Sequence, residues 1–215
     1  TLFYDVVRII QHHRPSAFLL ENVKGLVNHD EGRTWKIIQE TLDELGYSVN
    51  AKILDAANYG VPQHRERIYI VGFNKTKIDA SSFQFPQPLK NRVSIGDFVE
   101  TGITDRPISE KLQKSYIYKI DDGRPEVITP DTKGTVKTLV ASYHKIQRLT
   151  GTFVADGPTG LRLLSENECK AIMGFPKTFV VPVSRTQMYR QFGNSVAVPV
   201  VRAIAKEIAS TLVGG

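Results

Sequence analysis

A carboxylate and an amide follow one apolar run of this 215-residue chain. Residues 17–20 are Ala, Phe, Leu and Leu, and Glu21, Asn22 and Val23 come directly after them. A short continuous apolar run is typical of a strand buried on both faces in a parallel α/β sheet. Ligands of such sheets bind beyond the carboxyl ends of the strands, where Glu21 and Asn22 are expected. A charged residue there either pairs with a structural partner or acts on a ligand, and this run alone leaves both open.

A second polar cluster precedes the apolar residues 68–73 and contains Gln63, Arg65 and Arg67. The two arginines alternate along a predicted strand, so their side chains are expected to point to the same side. Two planar guanidinium groups on one side could clamp a phosphate or a carbonyl, because each donates paired hydrogen bonds. The alternative is a solvated strand end in which Glu66 is the partner.

The apolar patterns around these clusters predict the elements that position them. Helices are predicted over residues 2–13 and 33–45, and strands over residues 17–20, 47–54 and 68–73. This order is typical of an α/β fold with a doubly wound sheet. Complete sheets of this kind usually have about five strands or more. The predicted part would therefore expose an apolar edge if it stood alone.

The residue pattern changes after the last predicted strand, first at residue 86 and again at residue 161. Proline and glycine punctuate residues 86–160, which predicts a separate, irregular domain with short β segments. Its loops either carry substrate contacts or form a variable surface excursion. Residues 1–85 and 161–215 are predicted to form the main domain together.

Helix-start signals return in the C-terminal part. Ser165 and Glu168 form an S-x-x-E capping box that predicts a helix over residues 166–173. Ser184 and Gln187 repeat the signal ahead of a second helix. The last predicted helix would cover the sheet with an apolar stripe formed by Val201, Ile204, Ile208 and Leu212.

Composition places broad limits on function. The net charge is +6 and the excess lies in the C-terminal two thirds, which mildly favours a polyanionic partner such as nucleic acid. No apolar run approaches the length of a membrane span, and the first residues do not form a secretory signal. The chain lacks an initiator methionine, so it could begin within a longer protein.

The single cysteine and the histidines suggest no further chemistry. Cys169 excludes an internal disulfide and is compatible with a reducing, cytoplasmic compartment. It falls within a predicted helix beside apolar residues, which favours a buried structural thiol over a nucleophile. No histidine pair has metal-ligand spacing, so no metal site is predicted.

Four groups of residues together resemble conserved blocks of the C5-cytosine DNA methyltransferases, essentially from end to end of the chain. Glu21-Asn22-Val23 resembles block VI, and Gln63-x-Arg65-x-Arg67 resembles block VIII. Arg162-x-Leu164-x-x-x-Glu168 with Gly174-Phe175-Pro176 is similar to block IX, and Gly193-Asn194-Ser195 with Pro199-Val200 to block X. Each tripeptide alone is a weak signal, but the four in order, with an insertion between VIII and IX, are highly specific. The resemblance implies the C-terminal part of a Rossmann-like methyltransferase domain plus a small target-recognition domain.

The resemblance implies transfer of a methyl group from S-adenosylmethionine to C5 of a cytosine flipped out of duplex DNA. A thiolate adds to C6, and electron density then moves toward N3 and O2 of the ring. Glu21 matches the group that bonds or protonates N3, and Asn22 would anchor the neighbouring backbone. Arg67 would bond O2, and Arg65 would hold a DNA phosphate or the Glu21 side chain.

Cofactor and DNA contacts are implied in the same way. Asn194 and Ser195 match positions beside the S-adenosylmethionine pocket. Residues 86–160 correspond to the region that reads base edges in the major groove. The residues expected to bind DNA are Gln63, Ser142, Tyr143, Lys145 and Arg148.

The family's blocks I and IV, which hold the cofactor's methionine part and the catalytic thiolate, have no counterpart in these residues. The resemblance therefore implies an N-terminal segment or subunit that carries the nucleophile, and it predicts that this chain alone is inactive. One alternative is a non-catalytic DNA-binding or regulatory protein, although a pure binder needs no base-protonating carboxylate at Glu21. An RNA cytosine methyltransferase is a further alternative, which the large insertion disfavours.

Overall fold

The computed structural model describes residues 2–214, which divide into two compact units. The first unit contains residues 2–55, 66–87 and 202–214, and the second contains residues 56–65 and 88–201. The helices are α1 (Leu2–His13), α2 (Arg33–Glu44), α3 (Glu110–Leu112), α4 (Glu166–Met173), α5 (Arg185–Asn194) and α6 (Val198–Gly214). The strands are β1 (Ala17–Val23), β2 (Tyr47–Asp55), β3 (Glu66–Asn74), β4 (Glu126–Ile128) and β5 (Thr152–Val154).

The first unit contains a three-stranded sheet in the order β1-β3-β2, with β3 antiparallel to both neighbours. The expectation of parallel neighbours for β1 is therefore wrong. For the pair β2 and β3, the short connection explains the direction. Only residues 56–65 separate these two strands, fewer than the dozen or so residues that a parallel crossover needs. The central strand β3 is buried almost throughout, whereas β1 at the edge is half-buried and becomes exposed at Asn22 and Val23.

The core of the first unit joins the sheet to its helices. Ile10 of α1 and Leu42 of α2 share this core with Ile68 and Ile70 of β3. On β3, Gly72 lies opposite Phe18 in the antiparallel register. A Cβ atom at position 72 would lie 2.1 Å from the Phe18 ring. Only glycine therefore lets this aromatic ring cover the strand.

The last helix, α6, contributes its first turn to the second unit and residues 202–214 to the first. Ile204 is fully buried and Ile208 is half-buried, as the apolar stripe predicted. Leu212 is instead 37% exposed, so the buried stripe ends one turn before the position predicted from spacing.

The second unit has its own continuous core. Ile128 of β4 and Phe153 of β5 pack in one cluster with Cys169 of α4 and Met188 of α5. The sequence prediction assigned residues 161–201 to the domain of the sheet, but these residues pack with residues 88–160. Because β4 and β5 contain three residues each, they bury little by themselves, and the two helices complete the core.

The capping signal of α4 is present as predicted. Ser165 Oγ accepts a hydrogen bond from the Glu168 backbone N–H at 3.1 Å, and the Ser165 N–H donates to Glu168 Oε2 at 2.7 Å. The helix occupies residues 166–173, the range predicted from the sequence. Within residues 2–214, no helix combines the length and apolar character needed to cross a membrane.

Candidate active site

Glu21 and Arg67 form an ion pair across β1 and β3. Arg67 Nε lies 3.2 Å from Glu21 Oε1, and the side chains are 17% exposed for Arg67 and 27% exposed for Glu21. Val23 lies directly opposite Arg67 in the register, and Glu21 lies two residues away on the same strand face. The strand pairing therefore places the carboxylate and the guanidinium as diagonal neighbours.

The surroundings of this pair are polar and accessible. Asn22 Oδ1 accepts a hydrogen bond from the Val23 backbone N–H at 2.8 Å, so its amide holds the end of the edge strand. Glu66, which begins β3, forms an exposed ion pair with Lys24. Glu21 and Asn22 lie within β1 and not beyond its carboxyl end, which corrects the placement predicted from the apolar run.

Arg65 has a different environment from Arg67. It is buried in the second unit with 3% exposure. Its guanidinium donates to three backbone carbonyls, those of Leu139 at 3.2 Å, Gly193 at 3.1 Å and Ser195 at 2.7 Å. The predicted clamp of two arginines on one side is therefore wrong. Arg67, not Arg65, pairs with the Glu21 carboxylate.

Gln63 is fully buried in the second unit. Its Nε2 donates to the Ile172 carbonyl at 2.9 Å, and its Oε1 accepts from the Leu139 N–H at 2.7 Å. The amide thus ties the end of α4 to the segment after Val136. These contacts correct the expectation that Gln63 binds DNA, because its side chain is used inside the unit.

Asn194 and Ser195 lie where α5 ends. An open depression is lined by Gln187, Arg190, Gln191, Asn194 and Ser195. Asn194 is exposed and Ser195 is half-buried, with the Ser195 carbonyl held by Arg65. A Cβ atom on the preceding Gly193 would lie 2.2 Å from the Ala141 backbone nitrogen, so glycine permits this close approach.

Two residues expected to bind DNA are buried. Tyr143 has 3% exposure, and its hydroxyl donates to the Thr152 carbonyl at 2.6 Å and accepts from the Leu164 N–H at 3.0 Å. Arg148 has 6% exposure, and its guanidinium donates to the carbonyls of Ile117 and Ile120. Direct DNA contact is therefore not the role of these two side chains. Their neighbours remain accessible, since Ser142 is half-buried and Lys145 is exposed.

A buried charge network supports the second unit. Arg162 is fully buried and donates to both oxygens of the buried Glu168, at 2.8 and 2.9 Å, and to Asp156 at 2.9 Å. Burial alone would raise the pKa of Asp156, but the bonds from Arg162 and from the N–H groups of Gly102 and Ile103 hold it well below its usual value. The sequence motif marked Arg162 and Glu168, whereas no spacing signal marked Asp156.

Cys169 is fully buried in the core of the second unit. Burial, reinforced by the nearby Glu168 charge, raises the pKa of its thiol well above the ordinary value. The structure therefore confirms the prediction of a structural thiol, because a nucleophile needs an accessible thiolate. Among residues 2–214, no cluster of histidine, cysteine and carboxylate side chains could hold a metal ion.

Comparison with known families gives a match over almost the whole chain. The family model described as C-5 cytosine-specific DNA methylase matches residues 1–210. Among curated proteins, the type II methyltransferase M.MspI of Moraxella sp is 57% identical over 212 residues, which cover 99% of this chain and 50% of that protein. The type II methyltransferase M.BsuFI of Bacillus subtilis is 55% identical over 205 residues, covering 95% of this chain and 50% of that protein. The chain thus spans about half the length of these relatives.

Solved structures share the fold at lower identity. The crystal structure of a mutant of Spodoptera frugiperda DNMT2 has a TM-score of 0.78 and 20% identity, covering 96% of this chain and 71% of that one. The Entamoeba histolytica methyltransferase EhMeth has a TM-score of 0.76 and 19% identity, covering 98% of this chain and 69% of that one. These matches support the methyltransferase fold inferred from the sequence.

Proposed function

This chain belongs to the family of C-5 cytosine-specific DNA methylases, and we propose that it supplies the base-binding part of an enzyme that methylates C5 of cytosine in double-stranded DNA. The curated relatives that it resembles are named type II methyltransferases. The observation that carries the proposal is the ion pair between Glu21 and Arg67 at 3.2 Å. It puts a carboxylate and a guanidinium together at the half-exposed end of a strand.

Cytosine is a poor nucleophile at C5 until a thiolate adds to C6 and charge develops toward N3 and O2. In the proposal, the Glu21 carboxyl bonds N3 and holds or delivers the proton there. Arg67 fixes the orientation of that carboxyl and places N–H donors toward O2. Preorganised donors of this kind stabilise the charge that develops in the transition state. Asn22 accepts a hydrogen bond from the Val23 N–H and so holds the end of the strand that presents Glu21 to Arg67.

S-adenosylmethionine supplies the methyl group in this chemistry. The depression beside Asn194 and Ser195 fits part of such a cofactor, because Asn194 exposes an amide and Arg190 and Gln191 add polar donors. We assign to these residues the wall of the cofactor site that this chain provides. Arg65 supports that wall by holding the carbonyls of Gly193 and Ser195.

The nucleophile is proposed to come from another polypeptide segment or subunit. The chain has one cysteine, Cys169, and it is fully buried with a raised pKa. The 57% identical relative is about twice as long as the region that it shares with this chain. Double-stranded DNA is the proposed substrate, and the exposed Lys145 and the partly exposed Ser142 are proposed to contact it.

A methyl-transfer assay tests the proposal. This chain is joined to the N-terminal half of the Moraxella relative, and transfer of labelled methyl groups from S-adenosylmethionine to duplex DNA is measured. The expected result is activity for the joined protein and none for the 215-residue chain alone. Cytosine methylation by the chain alone, or a folded joined protein that binds DNA without transferring methyl groups, would overturn the proposal. Transfer RNA serves as the competing substrate, and a preference for it would exclude DNA as the target.

A further inference from the structure

The strand β2 forms one edge of the three-stranded sheet and carries none of the residues assigned to methyl transfer. β3 pairs with one side of β2, and no other strand among residues 2–214 pairs with its outer side. The later part of the strand is open to solvent, since Ala51, Lys52 and Ile53 are exposed in succession. The apolar side chain of Ile53 is 42% exposed. An accessible strand edge of this kind is a template for pairing with another strand.

The hydrogen bonds that flank the β2–β3 pair show which backbone groups of β2 point outward. The Ala56 N–H donates to the Arg65 carbonyl at 3.1 Å, and the Lys75 N–H donates to the Gly46 carbonyl at 2.9 Å. Hydrogen-bonded and non-hydrogen-bonded pairs alternate along an antiparallel ladder, so the even-numbered residues of β2 bond to β3. The odd-numbered residues 49, 51 and 53 therefore direct their N–H and C=O groups away from the sheet.

The side chains of these odd-numbered residues share one face of the sheet. Val49 is half-buried and packs against the core that contains Leu42 of α2. Ala51 and Ile53, farther along the strand, are exposed on that face. The outward backbone groups and the uncovered apolar side chains thus belong to the same residues. A partner strand satisfies the first and covers the second in one contact.

We propose that β2 is a dimerisation strand, which pairs antiparallel with β2 of a second copy around a two-fold axis at Ala51. In this register Ala51 lies opposite Ala51 of the second copy, and Ile53 lies opposite Val49. All of these residues have outward backbone groups, so the two strands form about six backbone hydrogen bonds. Each exposed Ile53 gains an apolar neighbour directly across the pair, which is the contact that stabilises a sheet.

The polar residues of β2 agree with this self-pairing. A lysine in an edge strand commonly prevents pairing, and Lys52 is such a residue. The register around Ala51 places Lys52 opposite Asn50 of the second copy and not opposite another lysine. Like charges directly opposite each other would destabilise the pair. The sequence of β2 therefore matches its own copy, with apolar opposite apolar residues on one face and lysine opposite amide on the other.

The proposed dimer does not rest on the proposed function. β3 lies between β2 and β1, so pairing along β2 leaves the edge strand that carries Glu21 accessible. A single strand pair buries little surface, and the dimer is therefore expected to be weak and dependent on concentration. A monomeric protein that methylates DNA would refute the dimer alone, and an inactive dimer would refute the proposed function alone.

Sedimentation velocity of the 215-residue chain, at concentrations up to about 100 μM, tests the dimer. The wild type is expected to shift from monomer to dimer as the concentration rises. Ala51→Pro removes an outward N–H from each copy while the bonds to β3 remain, so it should raise the dimer Kd about tenfold or more. Ile53→Lys leaves the backbone intact and should also weaken the dimer, because it replaces the apolar contact with a charge. Circular dichroism verifies that both variants are folded.

Ala17→Pro is the matched control on the opposite edge of the sheet. The Asn74 N–H donates to the Ser16 carbonyl at 2.9 Å, so Ala17, the next residue, directs its own N–H outward from β1. This variant should leave the dimer Kd unchanged. A chain that stays monomeric at every concentration, or folded Ala51→Pro and Ile53→Lys variants that dimerise like the wild type, would overturn the inference. Dissociation by Ala17→Pro alone would assign self-association to β1 and overturn it as well.

Cross-linking tests the register of the two strands. Ala51→Cys introduces an accessible thiol, whereas the single native cysteine, Cys169, is fully buried. Directly opposite Cβ atoms lie about 5 Å apart, so a short bismaleimide should link two copies of this variant. Ala205→Cys, at an exposed alanine of α6, is the control and should remain unlinked. Linking of Ala205→Cys without linking of Ala51→Cys would place the contact elsewhere and contradict the proposed pairing.

Discussion

The guanidinium of Arg67 holds the carboxylate of Glu21 across two antiparallel strands, with 3.2 Å between Nε and Oε1. Neither residue is placed there by a loop, since both project from paired strands whose register is fixed by the buried residues of β3. A carboxylate that must meet a base in one orientation benefits from such a rigid support. Arg65, two residues before Arg67, is instead buried and supports the second unit.

Arg67→Lys is expected to lower turnover of the joined enzyme about tenfold or more with little change in stability. Lysine keeps the charge but not the planar fork that orients the Glu21 carboxylate. Steady-state methyl transfer and thermal unfolding of the same sample give the two quantities. An unchanged kcat would remove Arg67 from the orienting role.

Arg65→Lys is expected to show the opposite pattern, with a loss of about 2–4 kcal/mol in the free energy of unfolding. Its guanidinium donates to carbonyls of Leu139, Gly193 and Ser195 inside the second unit, and an ammonium group cannot reach all of them. Urea unfolding of the chain measures this loss. Full stability, combined with weaker DNA binding, would instead favour the phosphate contact expected from the sequence.

Cys169→Ala is expected to leave methyl transfer by the joined enzyme within about twofold of the wild type when assayed below its unfolding temperature. The thiol is fully buried, and its raised pKa keeps it protonated. It should also resist a thiol reagent until the chain is unfolded, which a denaturant series can follow. Rapid modification of the native protein would show that Cys169 is accessible.

Acid is expected to destabilise the second unit through Asp156. Its folded-state pKa is lowered, mainly by Arg162 acting against burial, so its stabilising contribution is complete above the unfolded-state pKa near 4. That contribution is lost as pH falls toward the folded-state value. The free energy of unfolding should therefore begin to fall about one pH unit above the unfolded-state pKa, and between about pH 5 and pH 3 it should fall more steeply for the wild type than for Asp156→Asn. Parallel pH profiles for the two proteins would remove Asp156 from the acid response.

Local signals in the sequence predicted the elements well where neighbouring residues determine them. The capping box at Ser165 and Glu168 marked the start of α4 correctly, because both of its hydrogen bonds form within four residues. The apolar spacing of residues 2–13 likewise predicted α1 with its observed bounds. The antiparallel direction of β3 has no comparable local signal, since it depends on how strands far apart in sequence pair.

Sequence patterns could not predict which polar residues are buried. Arg148 is buried because it reaches carbonyls about thirty residues earlier, at Ile117 and Ile120. Arg65 is buried by contacts with Gly193 and Ser195, more than a hundred residues later. Charged residue types predict exposure by default. Because the sequence does not reveal these distant partners, it predicted that both arginines contact DNA.

Glu21→Gln in the joined enzyme tests the central claim most directly, with turnover and the Kd for duplex DNA measured on the same preparation. The amide keeps the shape of the side chain but cannot hold or deliver a proton at N3, so turnover should fall about 100-fold or more. The Kd should stay within about twofold of the wild-type value. The control variant Glu66→Gln replaces the exposed carboxylate at the start of β3 and should leave turnover and Kd unchanged. Equal turnover for Glu21→Gln and the wild type would contradict the assignment of Glu21 to the cytosine base.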